Sequence, residues 1–551
     1  MGSLNVATCV DPLSGCVNDS ATVYQDVNGV RWSFLLNYTN LSFGTYGNNK
    51  FYMMQLIQDG SKYMIFRKWG RVGAKTPQRA LEDYNTALEK AQASFAKKFL
   101  DKSGNEWPLT GPFRNVSGKY VLVELDDKAP VDEKDEEAGA EEEEEEEVLS
   151  TLHETVQGVV KLICDADLIA QEVANMNLDL ERLPLGKLST RQISQGYALL
   201  QQLSAALKEI EDLSRAVANA DEAERGQRPK TRRSARVKQP ATPHAAQIRR
   251  LKNSLKTLSS DFYTLIPHDF GRKLPPAIDS LDEVKLKIDL LEVLADIEIS
   301  QKLQAEKKKN AKTRDGTKLN SLDVQYNLLN IRMDPLSEST DEFKIIEKYV
   351  KTTHAPTHVQ YKLRINSVVA ILRPDEEKYA DVFKSVDNHM LLWHGSRLSN
   401  VVGILSKGLR VAPPEAPNNG YMFGKGIYFA DSVSKSANYC WASPQNPKGV
   451  LILAEVALGT TYLAREAEDL TYTTLQKSKR CDSTLGVGRM AAPVKGYETI
   501  DHDVVVPVGE FEPSESDGAL LYNEFIVYRQ EQVKLRYLVS LDFLYEQEDE
   551  E

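Results

Sequence analysis

The spacing of apolar positions changes twice along the chain. From Ala21 to about Leu125 they fall in short strand-like runs. Lys50-Phe51-Tyr52-Met53-Met54-Gln55-Leu56-Ile57 and Lys62-Tyr63-Met64-Ile65-Phe66-Arg67-Lys68-Trp69 flank Gln58-Asp59-Gly60-Ser61. An Asp-Gly between two apolar runs predicts a hairpin. Period two then places Tyr63, Ile65, Arg67 and Trp69 on one face of its second strand. Ala80, Tyr84, Ala87, Ala91 and Phe95 follow at helical spacing and predict a helix. From about Val148 to Asp334 the pattern is helical. Leu200, Leu203, Leu207 and Ile210 keep the intervals of one helix face, as do Leu281, Val284, Ile288 and Leu291. These predict amphipathic helices packed as a bundle. From about Glu338 onward strands return: Val368 to Leu372, Leu391 to His394, Val450 to Ala457 and Glu524 to Tyr528 read as a mixed sheet. The segment Ala467 to Ala519 is polar and rich in Gly, Pro and Ser, and reads as a long loop with short strands. The fold class predicted is multidomain α+β.

Charge changes this picture in two places. The chain has 551 residues, 68 basic and 80 acidic, for a formal net charge of −12. Residues 132–147 hold twelve carboxylates against one lysine, a net of −11, which leaves −1 for everything else. That run ends in seven consecutive glutamates and reads as an extended linker. It is a candidate acceptor of a modifying group, or a competitor of DNA for basic surfaces. The opposite feature, Arg225 to Lys238, carries seven basic residues and no acid, with Gly, Pro and Ser interspersed. It reads as an insertion between helices, either a solvated loop or a nuclear-localisation or DNA-contacting segment. The five cysteines form no CxxC pair, so zinc fingers and a disulfide framework are not expected. No apolar run approaches the length of a membrane span, and residues 1–19 read as a loose tail. The sequon Asn37-Tyr38-Thr39 is read as irrelevant, because no secretory signal is seen.

The densest chemistry lies between Leu391 and Cys440. Two apolar runs end in polar, glycine-flanked residues: Trp393-His394-Gly395-Ser396 and Gly424-Lys425-Gly426-Ile427-Tyr428-Phe429. Strands that deliver their last side chains to a cleft look like this. Between them Asn418-Asn419-Gly420 marks a turn. On residue types alone, His394, Tyr428 and Glu524 each also read as ordinary structural residues. Trp69 likewise reads as sheet core and Arg71 as a solvated charge.

Taken together, the His394-Gly395-Ser396 run, Tyr421 to Asp431 and Ser434 to Cys440, with Leu520-Leu521-Tyr522-Asn523-Glu524-Phe525, closely resemble the catalytic domain of the poly(ADP-ribose) polymerases. Trp69-Gly70-Arg71, with Asn48 to Tyr52 and Lys97-Lys98-Phe99, resembles the WGR domain. Leu183 to Ser189 and Phe262 to Gly271 resemble the family's helical regulatory domain. The resemblance implies an antiparallel-sheet WGR domain over 20–128, an acidic linker over 129–147, an all-α regulatory bundle over 148–336 with a basic insertion at 220–248, and a mixed-sheet ADP-ribosyltransferase domain over 337–551.

It also implies ADP-ribosyl transfer from NAD, with no metal. Glu524 becomes the catalytic carboxylate, His394 the holder of a ribose hydroxyl, and Tyr428 and Tyr439 the walls against the nicotinamide ring. The Gly395 backbone and Ser436 would bind the carboxamide. Ser396, Asn400, Gly403 and Arg410 would lie along the adenosine and phosphate side, and Lys425 near the acceptor. Trp69 and Arg71 become DNA contacts. Asp289, Glu292 and Asp296, spaced along one helix face, become an acidic lid that excludes substrate until DNA loosens it. The implied partners are DNA strand breaks and protein acceptors, including the chain itself and chromatin proteins, in the nucleus and not at a membrane. Two rival readings stand beside polymer synthesis: transfer of single ADP-ribose units, and a catalytically silent DNA-end scaffold.

Overall fold

The computed structural model describes residues 10–16, 18, 20–74, 76–124, 149–174, 188–226, 243–309, 320–413, 416–417 and 421–545. The acidic run, most of the basic insertion, residues 183–187, the turn at 418–420 and the side chain of Asp296 lie outside the described residues. The chain divides into two compact units. The first is chiefly Met1–Val131 with Val173–Ala295, and the second is Asp132–Glu172, Asp296–Pro414 and Tyr421–Glu551.

In the first unit the strands are β1 (Ala21–Val23), β2 (Ser33–Asn40), β3 (Asn48–Asp59), β4 (Lys62–Arg71), β5 (Gln78–Asp83) and β6 (Val121–Leu122). They form one sheet in the order β5-β4-β3-β2-β6, with β1 also on β3. The predicted hairpin is present. Asp59 faces Lys62 across a two-residue turn, and Gly60 takes a φ of +57° that suits glycine. The predicted helix from Ala80 is not. Gln78–Asp83 is a strand on the edge of β4, and α1 begins at Leu88 and runs to Ser103. Only Ala91 and Phe95 of the predicted stripe are buried in that helix. The backbone groups along β4's edge supply partners to Ala80 and its neighbours, and that long-range pairing overrides a local period. One face of the sheet closes over α1 through Trp32, Phe34, Phe95, Phe99 and Trp107, whose rings meet at 4.9–6.4 Å.

The other face meets the helices α4 (Thr190–Gly226) and α5 (Pro243–Leu265) of the regulatory region. The contact is polar for a physical reason: the last carbonyls of a helix have no partner within it. Asn37 Nδ2 donates to the Tyr263 and Thr264 carbonyls at 2.9 and 3.0 Å, and Gln192 Nε2 to that of Leu265 at 2.6 Å. Asn37 is therefore buried, which closes its sequon to any sugar. Past α5, Asn49 Nδ2 donates to the His268 carbonyl at 2.9 Å. His268 Nδ1 lies 2.6 Å from the Ile266 carbonyl, so Nδ1 carries the proton and Nε2 accepts from Lys287 Nζ at 2.9 Å. Burial lowers the Lys287 pKa to about 8. Lys287 stands on α6 (Leu281–Lys309), where Val284, Ile288 and Leu291 are buried as the spacing predicts.

The second unit holds α2 (Glu154–Ile163), α3 (Ala166–Ala174) and α7 (Ser321–Leu329) beside a mixed sheet. The strands are β7 (Arg332–Pro335), β8 (Tyr361–Leu372), β9 (His389–Gly395), β10 (Ile427–Phe429), β11 (Lys448–Ala457), β12 (Thr461–Ala464), β13 (Ser483–Gly486), β14 (Met490–Ala491), β15 (Glu498–Ile500), β16 (Val504–Val506), β17 (Glu512–Pro513), β18 (Glu524–Val527) and β19 (Val533–Tyr545). Between them come α8 (Asp341–Thr352), α9 (Ala380–Ser385), α10 (Leu398–Lys407), α11 (Val433–Ala437) and α12 (Tyr472–Thr474). Seven strands run β15-β16-β9-β11-β19-β8-β7 and four run β10-β18-β13-β12; β16 on β9 and β12 on β13 are parallel. The central β11 is buried from Gly449 to Ala457, as its apolar run requires, and the one acid in it, Glu455, is paired with His389 and Arg536.

Replacing Asn37 by Ala leaves two carbonyls of α5 without that donor. It is expected to lower the stability of the first unit by about 2 kcal/mol, read from its denaturant midpoint.

Candidate functional site

The candidate site of the second unit is built where β9 meets β10. Trp393 and Ala430 exchange both backbone hydrogen bonds, at 2.9 and 3.0 Å. This pairing sets the next residue, His394, with Nδ1 3.0 Å from the Tyr428 carbonyl. A carbonyl can only accept, so Nδ1 carries the proton. Burial pushes the His394 pKa below its ordinary value, so the ring is neutral and presents Nε2 as an acceptor. That is the polarity needed to hold a sugar hydroxyl.

Tyr428 is partly buried against the cluster of Phe423, Leu470 and Tyr528. Its hydroxyl donates to the Gly424 carbonyl at 2.7 Å and accepts from Phe423 N at 3.0 Å. Burial raises its pKa above the ordinary phenol value, with smaller contributions from Tyr528, Glu524 and Tyr439 nearby. Glu524 and Tyr439 therefore belong to the same neighbourhood as Tyr428. Tyr421 lies 5.8 Å from Tyr428, ring to ring, and Tyr439 is 41% exposed, an aromatic face left accessible.

Gly395 closes the wall below. A Cβ built there would stand 1.8 Å from the Ser436 carbonyl oxygen, so no other residue fits. Ser436 is buried, and its Oγ donates to the Trp393 carbonyl at 3.1 Å. Ser396 Oγ accepts from Asn400 Nδ2 at 3.1 Å across the first turn of α10. Gly403 is buried within that helix, Arg410 is exposed beyond it, and Lys425 is partly buried between Gly424 and Gly426.

Glu524 opens β18, opposite Gly486 of β13. Its Oε1 is 3.0 Å from Lys435 Nζ, and each side chain is only 17% exposed. Lys435 also donates to the carbonyls of Tyr522 and Asn523, at 2.9 and 3.2 Å. This lysine escaped the sequence reading, although it stands inside Ser434-Lys435-Ser436. No spacing rule links it to a glutamate 89 positions later. A second residue with no sequence signal is Glu172 of α3, buried with its carboxylate accepting from Ser399 N at 3.1 Å. Among the described residues no group of His, Cys, Asp and Glu could hold a metal ion. No helix among them is long and apolar enough to cross a membrane.

In the first unit, Trp69 stacks on Tyr52 at 6.0 Å. Arg71 is committed to the protein itself, with Nε donating to the Gly271 carbonyl at 2.5 Å and Nη2 to that of Lys273 at 2.6 Å. Beside them sequence reasoning missed a cationic and aromatic cluster. Lys50 lies over the rings of Tyr38 and Tyr120 at 5.2 and 5.3 Å, and Lys102 over those of Tyr52 and Tyr120 at 4.8 and 5.7 Å. Burial, then Lys98 and Lys50, lower the Lys102 pKa, as expected of a cation crowded by its own kind. Asp289 and Glu292 are partly exposed on α6.

Known proteins define the class that this geometry suggests. Residues 340–543 match the poly(ADP-ribose) polymerase catalytic domain, 150–326 the poly(ADP-ribose) polymerase regulatory domain, and 32–114 the WGR domain. The chain belongs to the poly(ADP-ribose) polymerase family and is an NAD-dependent ADP-ribosyltransferase. It is 39% identical over 541 residues to poly [ADP-ribose] polymerase 2 of Homo sapiens, covering 97% of this chain and 83% of that one. Poly [ADP-ribose] polymerase 2 of Arabidopsis thaliana is 36% identical over 525 residues, 93% of this chain and 73% of that one. Against poly [ADP-ribose] polymerase 1 of Gallus gallus the identity is 37% over 539 residues, but the chain spans only 47% of that protein.

Gly395→Ala is expected to push Ser436 and the strand apart and to cut kcat/KM for NAD by roughly a hundredfold or more. Steady-state NAD consumption, with a thermal melt to confirm folding, checks this.

Proposed function

We propose that the chain is a DNA-break-activated polymerase of ADP-ribose that modifies itself and other nuclear proteins, chromatin proteins among them. The observation that carries the reading is Glu524, paired with Lys435 in the neighbourhood of His394 and Tyr428. In this reading NAD loses nicotinamide, and its ribose carbon passes to an acceptor through an oxocarbenium-like state. The ring lies against Tyr428 and Tyr439, with its carboxamide on the Gly395 backbone and Ser436. His394 Nε2 accepts from a ribose hydroxyl. Ser396, Asn400, Gly403 and Arg410 take the adenosine and phosphate side, and Lys425 stands toward the acceptor. Glu524 accepts from the nicotinamide ribose, offsets the developing positive charge, and polarises the hydroxyl of an acceptor ADP-ribose for chain growth.

Activation runs through the WGR domain at 20–128. Trp69 stacks on a DNA end, while Lys50 and Lys102 take phosphate. The two bonds from Arg71 to residues 271 and 273 support a relay role for Arg71 in addition to the DNA contact read from sequence. Asp289, Glu292 and Asp296 form the acidic lid of the regulatory domain at 148–336, and the catalytic domain occupies 337–551.

Two measurements test this. NAD turnover with and without 5′-phosphorylated nicked DNA, resolved by product length, is expected to give a ladder that Glu524→Gln abolishes while NAD binding survives. A single sharp band would instead identify transfer of one unit, and background turnover a silent scaffold. Trp69→Ala is expected to raise the DNA concentration for half-activation by roughly tenfold, the loss of one stacked base, and to leave DNA-independent turnover unchanged.

A further inference from the structure

We propose that Asp431 is a positioning residue for Glu524, acting through Asn523 and by sharing the charge of Lys435. The inference rests on Glu524 being the reacting carboxylate. Asp431 follows β10 and is fully buried. Its Oδ2 accepts from Asn523 Nδ2 at 2.7 Å, and Asn523 Oδ1 accepts from Gly488 N at 2.8 Å. The amide of Asn523 is thus held at both ends, one residue before Glu524. Lys435 grips the same backbone at Tyr522 and Asn523 and ends on Glu524.

A fully buried carboxylate is costly unless something needs its charge. Asp431 is only partly compensated: Asn523 bonds its Oδ2, but its Oδ1 has no hydrogen-bond partner among the described residues. Burial raises its pKa to about 6, against the lowering effects of Asn523 and Lys435. The other groups that face it are phenols, Tyr349 of α8 and Tyr497 ahead of β15, and its charge adds to the burial that raises both. Lys435 is therefore the one cation whose charge reaches it among the described groups, and the same ammonium pairs with Glu524. When Asp431 is ionised, Lys435 divides its field between Asp431 and Glu524. When Asp431 is neutral, Lys435 acts on Glu524 alone and holds that carboxylate away from a hydroxyl donor.

The signs for activity and stability are opposite, which makes the inference testable. The folded chain binds the Asp431 proton more tightly than the unfolded chain does. Ionisation therefore costs stability as pH rises from the ordinary carboxylate range through about 6. Asp431→Asn, which keeps shape and removes charge, is expected to lower kcat by roughly tenfold. It should leave KM for NAD within about twofold, abolish the acid limb of kcat near the pKa of about 6, and melt at or above wild type at pH 8. The full chain with nicked DNA is assayed beside Glu524→Gln. Unchanged kcat with an unchanged pH profile, or a joint fall of melting temperature and NAD affinity, overturns the inference. A ladder that survives Glu524→Gln overturns both the carboxylate's role and this inference. A ladder lost there, with wild-type kcat and pH profile in Asp431→Asn, overturns this inference alone. If Asp431→Asn does not fold, the wild-type profile decides: a kcat fall below about pH 6 at constant KM supports the inference, and a flat profile to about pH 5 refutes it.

Discussion

The ammonium of Lys435 is the point on which the catalytic unit turns. It bridges the carbonyls of two successive residues and the carboxylate of a third. A carboxylate 17% exposed at a strand end needs a nearby cation, and one lysine both supplies the charge and fixes the chain that carries it. That demand sets the placement of α11, whose N-cap Ser432 accepts from Lys435 N. It also sets the entry of β18 between β10 and β13. The rest of the wall follows from sheet register. The backbone exchange between Trp393 and Ala430 leaves His394 and Tyr428 adjacent, and a glycine at 395 lets Ser436 approach.

Much of this was legible in the sequence, and the reasons are specific. Glycine-flanked apolar runs announced β9 and β10 because a strand that stops at a cleft leaves both its period and its glycines on view. The Asp59-Gly60 turn was legible because its chemistry is local. What failed was non-local. Ala80 and Tyr84 kept helical spacing, yet the edge of β4 claimed that segment. Lys435 and Asp431 gave no signal, since their partners at 522–524 lie far along the chain. Trp69 and Arg71 stood out in the sequence as a pair, but the structure commits Arg71 to the protein's own backbone. Its guanidinium holds two carbonyls, while the cations that crowd each other, Lys50, Lys98 and Lys102, lie on neighbouring elements.

The first unit shows the same economy with polar groups. The carbonyls that α5 cannot satisfy for itself become the docking points for Asn37 and Gln192. This makes the join between sheet and helices directional rather than greasy. A hydrophobic join tolerates sliding, whereas a join made of buried hydrogen bonds is either in register or broken. The buried His268–Lys287 bond extends that condition to α6.

Arg71 lies two residues after Trp69, and its fork holds the backbone at 271 and 273, ten and eight residues before α6 begins at Leu281. The strand's tip and that turn are therefore mechanically one part, like the two ends of a short lever. The two bonds from Arg71 end on main chain, at Gly271 and Lys273, and not on side chains. While those bonds hold, the tip of β4 and the turn cannot shift independently of one another.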